Sequence, residues 1–357
     1  MIRLTGRQFR TPAAIAAAAL EVVAVVVAAT GPHLRQLYDA IAASCRAHGD
    51  CATAYNGYLN TDGTLRTWLG ILVIVVPGLM GIFWGAPLVA REWESGTYRL
   101  AWTQSVTRDR WMAVKVGGIG LAAMIVAGLL SLMVTMWASP LDRATMNIFG
   151  TFDQRDLVPI GYGAFAFVLG VLAGVVIRRT LPAMAATVVG FVGARLAFTE
   201  LLRPHLIAPV QRSLALTTDI AGLGFGSADG GPFTLLPGPP NIPNAWVVST
   251  GILDKGGHAV TAQYVARACP RLVAQANAGG PGPGGPGGSA HAAPAPAGFD
   301  SLFHNCLEKV GTTYHEVVTF QPAARYWTFQ WYELAVYLGA ALVLAAVSLW
   351  WVRRRLS

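Results

Sequence analysis

The chain has 357 residues, of which 54% are hydrophobic and only 12% are charged. An ordinary soluble domain is about 25% charged, so this composition excludes a typical soluble protein and indicates one that lies in lipid. The formal net charge of +8 does not indicate nucleic-acid binding, because the basic residues form no patch with interleaved aromatic residues.

Six apolar stretches have the length of a membrane span. A bilayer core of about 30 Å needs roughly 20 mostly apolar residues in a helix. The stretches are residues 12–30, 68–90, 116–138, 157–177, 181–199 and 334–352. Four of them contain no charged residue and no histidine, whereas the first carries Glu21 and the fifth carries Arg195. The sequence therefore predicts an all-α integral membrane protein with six transmembrane helices.

The first stretch has one alternative interpretation, a secretory signal. Arg3, Arg7 and Arg10 precede an apolar core that ends in small residues, which is the pattern of a signal peptide. The acid at position 21 and the length of the run favour a retained helix instead.

Basic residues in short loops predict the orientation, because such residues remain in the cytoplasm. With both termini in the cytoplasm, 13 basic residues lie in the inner segments, against five in the short outer loops. We therefore predict a multi-pass protein of the cell membrane whose N- and C-termini are cytoplasmic.

The longest connection, residues 203–332, separates helices 1–5 (residues 1–202) from helix 6 and its basic tail (residues 333–357). It contains GGPGPGGPGGSAHAAPAPAG, a composition that cannot bury enough apolar surface to become ordered. The sequence predicts a large, partly disordered extracellular insertion with a Gly/Pro-rich linker at residues 276–298. At its end, Tyr326, Trp327, Trp331 and Tyr332 are predicted to lie in the headgroup belt.

All four cysteines, Cys45, Cys51, Cys269 and Cys306, fall in segments that the predicted topology places outside. An even number of cysteines on the oxidising face indicates disulfides. Three connectivities are possible, and four free thiols are the alternative. Pairing Cys45 with Cys51 would close a short loop, and pairing Cys269 with Cys306 would join the two halves that flank the linker.

The connector between helices 2 and 3, residues 91–115, reads REWESGTYRLAWTQSVTRDRWMAVK. The predicted topology places it on the cytoplasmic face, where an amphipathic element would lie along the surface. Thr107 is a plausible N-cap for the next helix, with Asp109 in the first turn. A solvated loop anchored by Trp and Arg side chains is the alternative.

This connector, after a helix that ends in GAPLVA, resembles the cytoplasmic connector of type-two ABC exporter permeases. In that family an Arg-Glu pair, a Gly-Thr pair, a Ser/Thr-Arg turn and a lysine recur before the third helix. The matching positions are Arg91, Glu92, Gly96, Thr97, Thr107, Arg108 and Lys115. Glu94 and Arg99 add charges suited to directional contacts with a partner. The six-helix layout and QPAARYWTFQWYE before helix 6 resemble a branch with a long extracellular loop.

The resemblance implies a permease subunit of an ATP-driven ABC exporter, which forms the substrate path and couples through its connector to a separate ATPase. The chain has no G-x-x-x-x-G-K-[ST] loop, so it is expected to be no enzyme and to bind no cofactor or metal itself. ATP and Mg²⁺ would bind the partner ATPase. An exporter of this kind has two membrane halves, so a second copy of this chain is the simplest further partner, beside membrane lipid.

Two charged residues lie within the predicted spans. Glu21 is near the centre of its helix, where an acid marks an interior-facing or functional position. Glu21 and Arg195 lie about 12 Å and about 21 Å from the same membrane face, which argues against a direct ion pair. We expect Glu21 to face the protein interior or the substrate path, and Arg195 to extend outward toward Glu200.

Two other function classes remain as alternatives. A passive anchor or sensor would present the extracellular region, although the Gly/Pro-rich segment argues against one compact outer domain there. A membrane-bound enzyme is disfavoured because none of the seven histidines lies in an apolar span. His304, Cys306, His315 and Glu316 are close in sequence, but their spacing matches no zinc signature.

Overall fold

The computed structural model describes residues 2–48, 58–59, 63–94, 108–216, 223–227, 231–238, 240, 242–278 and 298–355. The chain divides into two compact units. The first, here called the membrane unit, comprises Met1–Leu206 and Arg325–Ser357, and the second, the inserted unit, comprises Ile207–Ala324.

The α-helices, in chain order, are α1 (Ile2–His48), α2 (Gly63–Met80), α3 (Ala86–Glu94), α4 (Arg108–Thr145), α5 (Val158–Ile177), α6 (Thr180–Ala197), α7 (Ala262–Ala268), α8 (Pro270–Asn277), α9 (Phe299–Gly311) and α10 (Tyr326–Arg355). Short π-helical or 3-10 turns extend several of them: Gly81–Gly85, Phe149–Gln154, Phe198–Leu202, Arg203–His205 and Ala323–Arg325. The strands are β1 (Val210–Leu214), β2 (Gly224–Gly226), β3 (Thr234–Leu236), β4 (Trp246–Asp254) and β5 (Tyr314–Gln321).

Six helical segments of the described chain are long and apolar enough to cross a membrane, which confirms the predicted number of spans. Spans 1 to 6 are Phe9–Ala47, Gly63–Glu94, Met112–Thr145, Val158–Ile177, Thr180–His205 and Ala323–Arg354. Span 1 continues well beyond residue 30, where its apolar run ends. The continuation is amphipathic, and Leu34, which is fully buried, packs in one cluster with Trp137 of α4.

Helix α5 is the centre of the membrane unit. It is apolar on all sides and most of its side chains are buried, as expected of a helix surrounded by others. Its backbone touches that of span 2: a Cβ atom added to Gly170 would lie 2.2 Å from the carbonyl oxygen of Gly81. Conversely, a Cβ atom on Gly81 would lie 2.4 Å from the carbonyl oxygen of Ala166. Small residues therefore bring spans 2 and 4 into direct backbone contact.

The inserted unit has a mixed α and β architecture. β5 is the central strand of an antiparallel sheet with the order β1-β5-β4, and β2 pairs with β3. Helices α7, α8 and α9 contribute Val265, Leu272 and Leu307 to a core that also contains Ile252 of β4. A disulfide joins Cys269, beside α8, to Cys306 of α9, with the two Cα atoms 5.4 Å apart.

The predicted insertion between helices 5 and 6 is thus present, but it contains two sheets and has its own core. The expectation that its Gly/Pro-rich segment argues against a compact outer domain is wrong, because α8 and α9, on either side of that segment, share one core. Residues 279–297, most of the predicted linker, lie outside the described residues.

The predicted headgroup belt before helix 6 is only partly as expected. Trp327, Trp331 and Tyr332 are exposed, whereas Tyr326 is buried. The Tyr326 hydroxyl donates a hydrogen bond to Asp156 Oδ2 at 2.7 Å, so this residue belongs to the packed interior.

Candidate functional site

Three helix ends meet where span 2 finishes, and we call this region the connector end: the last turn of α3 and the first turns of α4 and α6. Helix α3 buries Val89 and Ala90, which fixes the position of its charged last turn. The Glu92 carboxylate forms an ion pair with Lys115 of α4, and the Lys115 side chain is buried. This pair joins the two helices that flank the connector.

Glu94, the last residue of α3, joins the same region to α6. Its carboxylate accepts hydrogen bonds from the Thr180 backbone N–H at 2.9 Å and from the Thr180 hydroxyl at 2.6 Å. The first N–H groups of a helix have no partner within that helix, and an anion there is favoured by the helix dipole. A glutamate from α3 therefore caps α6, and the Arg178 guanidinium lies 4.9 Å from the Trp93 ring centroid beside it.

The structure describes only part of the predicted connector. Gly96, Thr97, Arg99 and Thr107 lie outside the described residues, so the amphipathic element stays a prediction. Helix α4 begins at Arg108, directly after the proposed N-cap. Arg91, one of the matched positions that the structure describes, has an exposed side chain.

A second group of charges lies at the other end of α5, and we call it the polar cluster: Asp153, Tyr162, Arg195, Arg203 and Glu333. Glu333 is fully buried and accepts hydrogen bonds from Arg203 Nε at 3.0 Å and Arg203 Nη2 at 2.9 Å. The Tyr162 hydroxyl donates to the same carboxylate at 2.6 Å. Two N–H groups of one guanidinium on one carboxylate form a strong, directional pair.

Arg195 is in this cluster as well, which changes the partner expected for it. It forms an ion pair with Asp153 at 3.1 Å, and its guanidinium lies 4.2 Å from the Tyr162 ring centroid. Asp153 also contacts Arg203. The expected extension toward Glu200 is therefore wrong, because a nearer acid lies on the turn before α5.

The polar cluster balances two cations against two anions and joins spans 4, 5 and 6. The sequence pattern did not reveal it because a hydropathy window ends at a charge, which assigned Arg203 to the extracellular segment and left Glu333 just before the apolar run of helix 6. The available signal was that these opposite charges directly flank the insertion at the ends of consecutive spans.

Glu21 lies on an exposed face of α1, with Val22 and Val25 also exposed. Leu20, Val23 and Val27 on the other face pack against the core. The expectation that Glu21 faces the interior is therefore wrong for a single copy of the chain, and a place on a substrate path stays a prediction.

The described cysteines are all in disulfides. Cys269 is joined to Cys306, Cys45 is also disulfide-bonded, and Cys51 lies outside the described residues. A disulfide sulfur supplies no thiolate, so Cys306 is unsuited to binding zinc. Among the described residues, no group of three or more His, Cys, Asp or Glu side chains is arranged to hold a metal ion.

Comparison with known proteins identifies the family. No curated protein and no solved structure matches the chain. The family model described as ABC-2 membrane transporter related matches residues 17–203, which is just over half of the chain and extends through spans 1 to 5. The match includes α3, the start of α4 and the start of α6. The resemblance that the connector residues carried is therefore confirmed, and the chain belongs to the ABC-2 membrane transporter related family.

Proposed function

We propose that this chain is the membrane-spanning permease subunit of an ATP-driven exporter, and that a separate ATPase docks on its connector end. The observation that supports this most is the pair of contacts made by α3, Glu92 with Lys115 and Glu94 with Thr180. They tie the ends of spans 2, 3 and 5 to the segment on which a partner would act.

Movement of the connector would reach four spans. A force on residues 91–115 acts on α3 and α4 directly, and the Glu94 cap carries it to α6. The backbone contact between Gly81 and Gly170 then couples span 2 to α5. Packed helices respond to such a force by shifting as units, because close-packed interfaces do not deform continuously.

The partners follow from the same proposal. The sequence has no phosphate-binding loop, so ATP and Mg²⁺ would bind the ATPase, on the cytoplasmic side, where the basic residues of the short loops lead us to expect the connector. A second copy of this chain would complete the substrate path. Exposed apolar residues on α4, such as Leu121, Ile125 and Leu129, suit contact with lipid or with that copy.

The test is ATP hydrolysis by the partner ATPase in complex with this chain. Glu92→Ala removes the carboxylate that forms an ion pair with the buried Lys115 amine and should lower coupled hydrolysis and transport, while membrane insertion is preserved. Asp39→Ala, an exposed acid on α1, is the matched control and should leave both rates unchanged. Normal transport by Glu92→Ala at normal expression would contradict the role of Glu92.

The compact inserted unit supports a second candidate function, a membrane anchor that presents this unit outside the cell. Its own core and its disulfide are features of a stable binding domain. An anchor requires no ATPase, so a purified chain that alters no ATPase activity, and whose connector variants have no effect, would favour this candidate.

A further inference from the structure

A cavity of about 400 Å³ lies between α1, the Gly81–Gly85 turn with α3, and α4. This volume is within the range of about 300–1,000 Å³ that is typical of small-molecule sites. Most of its wall is apolar and includes Phe83, Trp84, Leu88 and Ile119. It is therefore a candidate binding site for a largely apolar molecule.

The cavity wall is built by an unusual backbone. Residues Gly81–Gly85 form a π-helical turn, a rare geometry that is frequent at functional sites. A Cβ atom on Gly85 would lie 2.3 Å from the Phe167 carbonyl oxygen, so one side of the turn is pressed against α5. Phe83 and Trp84, between the two glycines, line the cavity, and the Phe9 ring packs edge-on against Trp84 with centroids 4.8 Å apart.

Charge is confined to one part of the lining, and it is positive overall. Arg91, Glu92 and Lys115 line the cavity beside the apolar wall, and two cations with one anion leave a net charge of +1. Lys115 is buried and Arg91 is exposed. A cationic group at the edge of an apolar, low-dielectric space attracts an anion more strongly than it would in water.

We propose that this cavity binds an anionic amphiphile with a single alkyl chain. The carboxylate or phosphate head contacts Arg91 and Lys115, and the chain lies along Phe83, Trp84, Leu88 and Ile119. The volume of about 400 Å³ suits one alkyl chain better than the two chains of a bilayer phospholipid. That the ligand comes from the cytoplasmic leaflet depends on the proposed topology. The binding site itself does not depend on it.

The experiment uses the purified full chain in nanodiscs of neutral lipid, with a photoreactive fatty acid whose diazirine lies in mid-chain. Peptide mapping after illumination should find the fatty-acid label on residues 83–88 and on residue 119. Oleate should compete at a concentration at least about tenfold lower than oleyl alcohol, because charge-assisted hydrogen bonds to the head are lost in the alcohol. This comparison needs only the wild-type chain, so it does not depend on the folding of any variant.

Two variants and a control locate the site. Arg91→Gln should reduce labelling about tenfold, and Ile119→Trp should reduce it by filling the cavity. Arg179→Gln, an exposed arginine near the same helix ends that does not line the cavity, should label as the wild type does.

Several results would overturn the proposal. They are label spread evenly over the lipid-facing helices, equal competition by oleyl alcohol or by a cationic amphiphile, and equal labelling of Arg91→Gln. Equal competition by phosphatidylglycerol would overturn the assignment of a single-chain ligand. Since no ATPase is present, these results are independent of whether the proposed coupling is correct.

Discussion

Arg203→Leu is expected to destabilise the membrane unit strongly. Arg203 makes two hydrogen bonds to Glu333, at 3.0 and 2.9 Å, and also contacts Asp153. Without it, the fully buried Glu333 carboxylate still accepts the hydrogen bond from the Tyr162 hydroxyl. Removing one member of a buried ion pair costs about 3–5 kcal/mol, because an uncompensated charge remains. We expect a loss of unfolding free energy of this size.

We also expect the two single variants to differ in their cost in unfolding free energy, and the two costs to be non-additive. Glu333→Leu leaves Arg203 in contact with Asp153, so its cost should be smaller, about 1.5–3 kcal/mol, the value of a charge-assisted hydrogen bond. In the double variant both charges are gone, and Asp153 keeps its ion pair with Arg195 at 3.1 Å. The double loss should therefore be smaller than the sum of the single losses by about 0.5–3 kcal/mol.

The assay is reversible unfolding of the four proteins in mixed micelles, followed by tryptophan fluorescence. Arg179→Leu, at an exposed position, is the control and should change the unfolding free energy by less than about 0.5 kcal/mol. An Arg203→Leu variant as stable as the wild type, or losses of the two single variants that simply add, would show that Arg203 and Glu333 do not form a stabilising buried pair.

Three further predictions concern other parts of the chain. Burial raises the pKa of Glu316 above its usual 4.5, so the folded inserted unit binds this proton more tightly than the unfolded chain. The contribution of Glu316 to the unfolding free energy of this unit should be greatest below pH 4.5 and fall as pH rises through the raised pKa. Glu316→Gln should remove that dependence, and a wild-type curve flat over this window would contradict it. Gly170→Ala places a Cβ atom 2.2 Å from a backbone oxygen of span 2. It should lower the unfolding free energy by about 1–3 kcal/mol and therefore the midpoint temperature of thermal unfolding. Gly193→Ala, with nothing within 4 Å, is its control, and equal midpoints would refute the close contact. Non-reducing peptide mapping should recover a Cys269–Cys306 peptide pair, and alkylation of both thiols would exclude that bond.

The spans could be predicted because each is a local property of the sequence. A run of about 20 apolar residues has few alternatives to a buried or membrane-spanning helix. The inserted unit could not be predicted in the same way. Its central strand pairs Phe320 with Val210 and Val247, and partners so distant in sequence leave no local pattern.

The candidate site was predictable as a set of residues but not as a set of contacts. Glu92 and Lys115 were both selected from the connector pattern, and the structure joins them across 23 positions. The Glu94 cap on Thr180 spans 86 positions and depends on how α3 and α6 pack on α5. Charges next to apolar runs were assigned to loops, which concealed the ion pair of Arg203.

The most direct test of the proposed function is purification of the chain from its native membrane, followed by measurement of ATP hydrolysis by any ATPase that remains bound. We expect a stoichiometric ATPase whose hydrolysis rate changes when this chain is removed, and changes again when the complex is formed with Glu92→Ala. Retention of no ATPase, or an ATPase whose rate is the same with the chain, without it and with the variant, would contradict the proposed coupling.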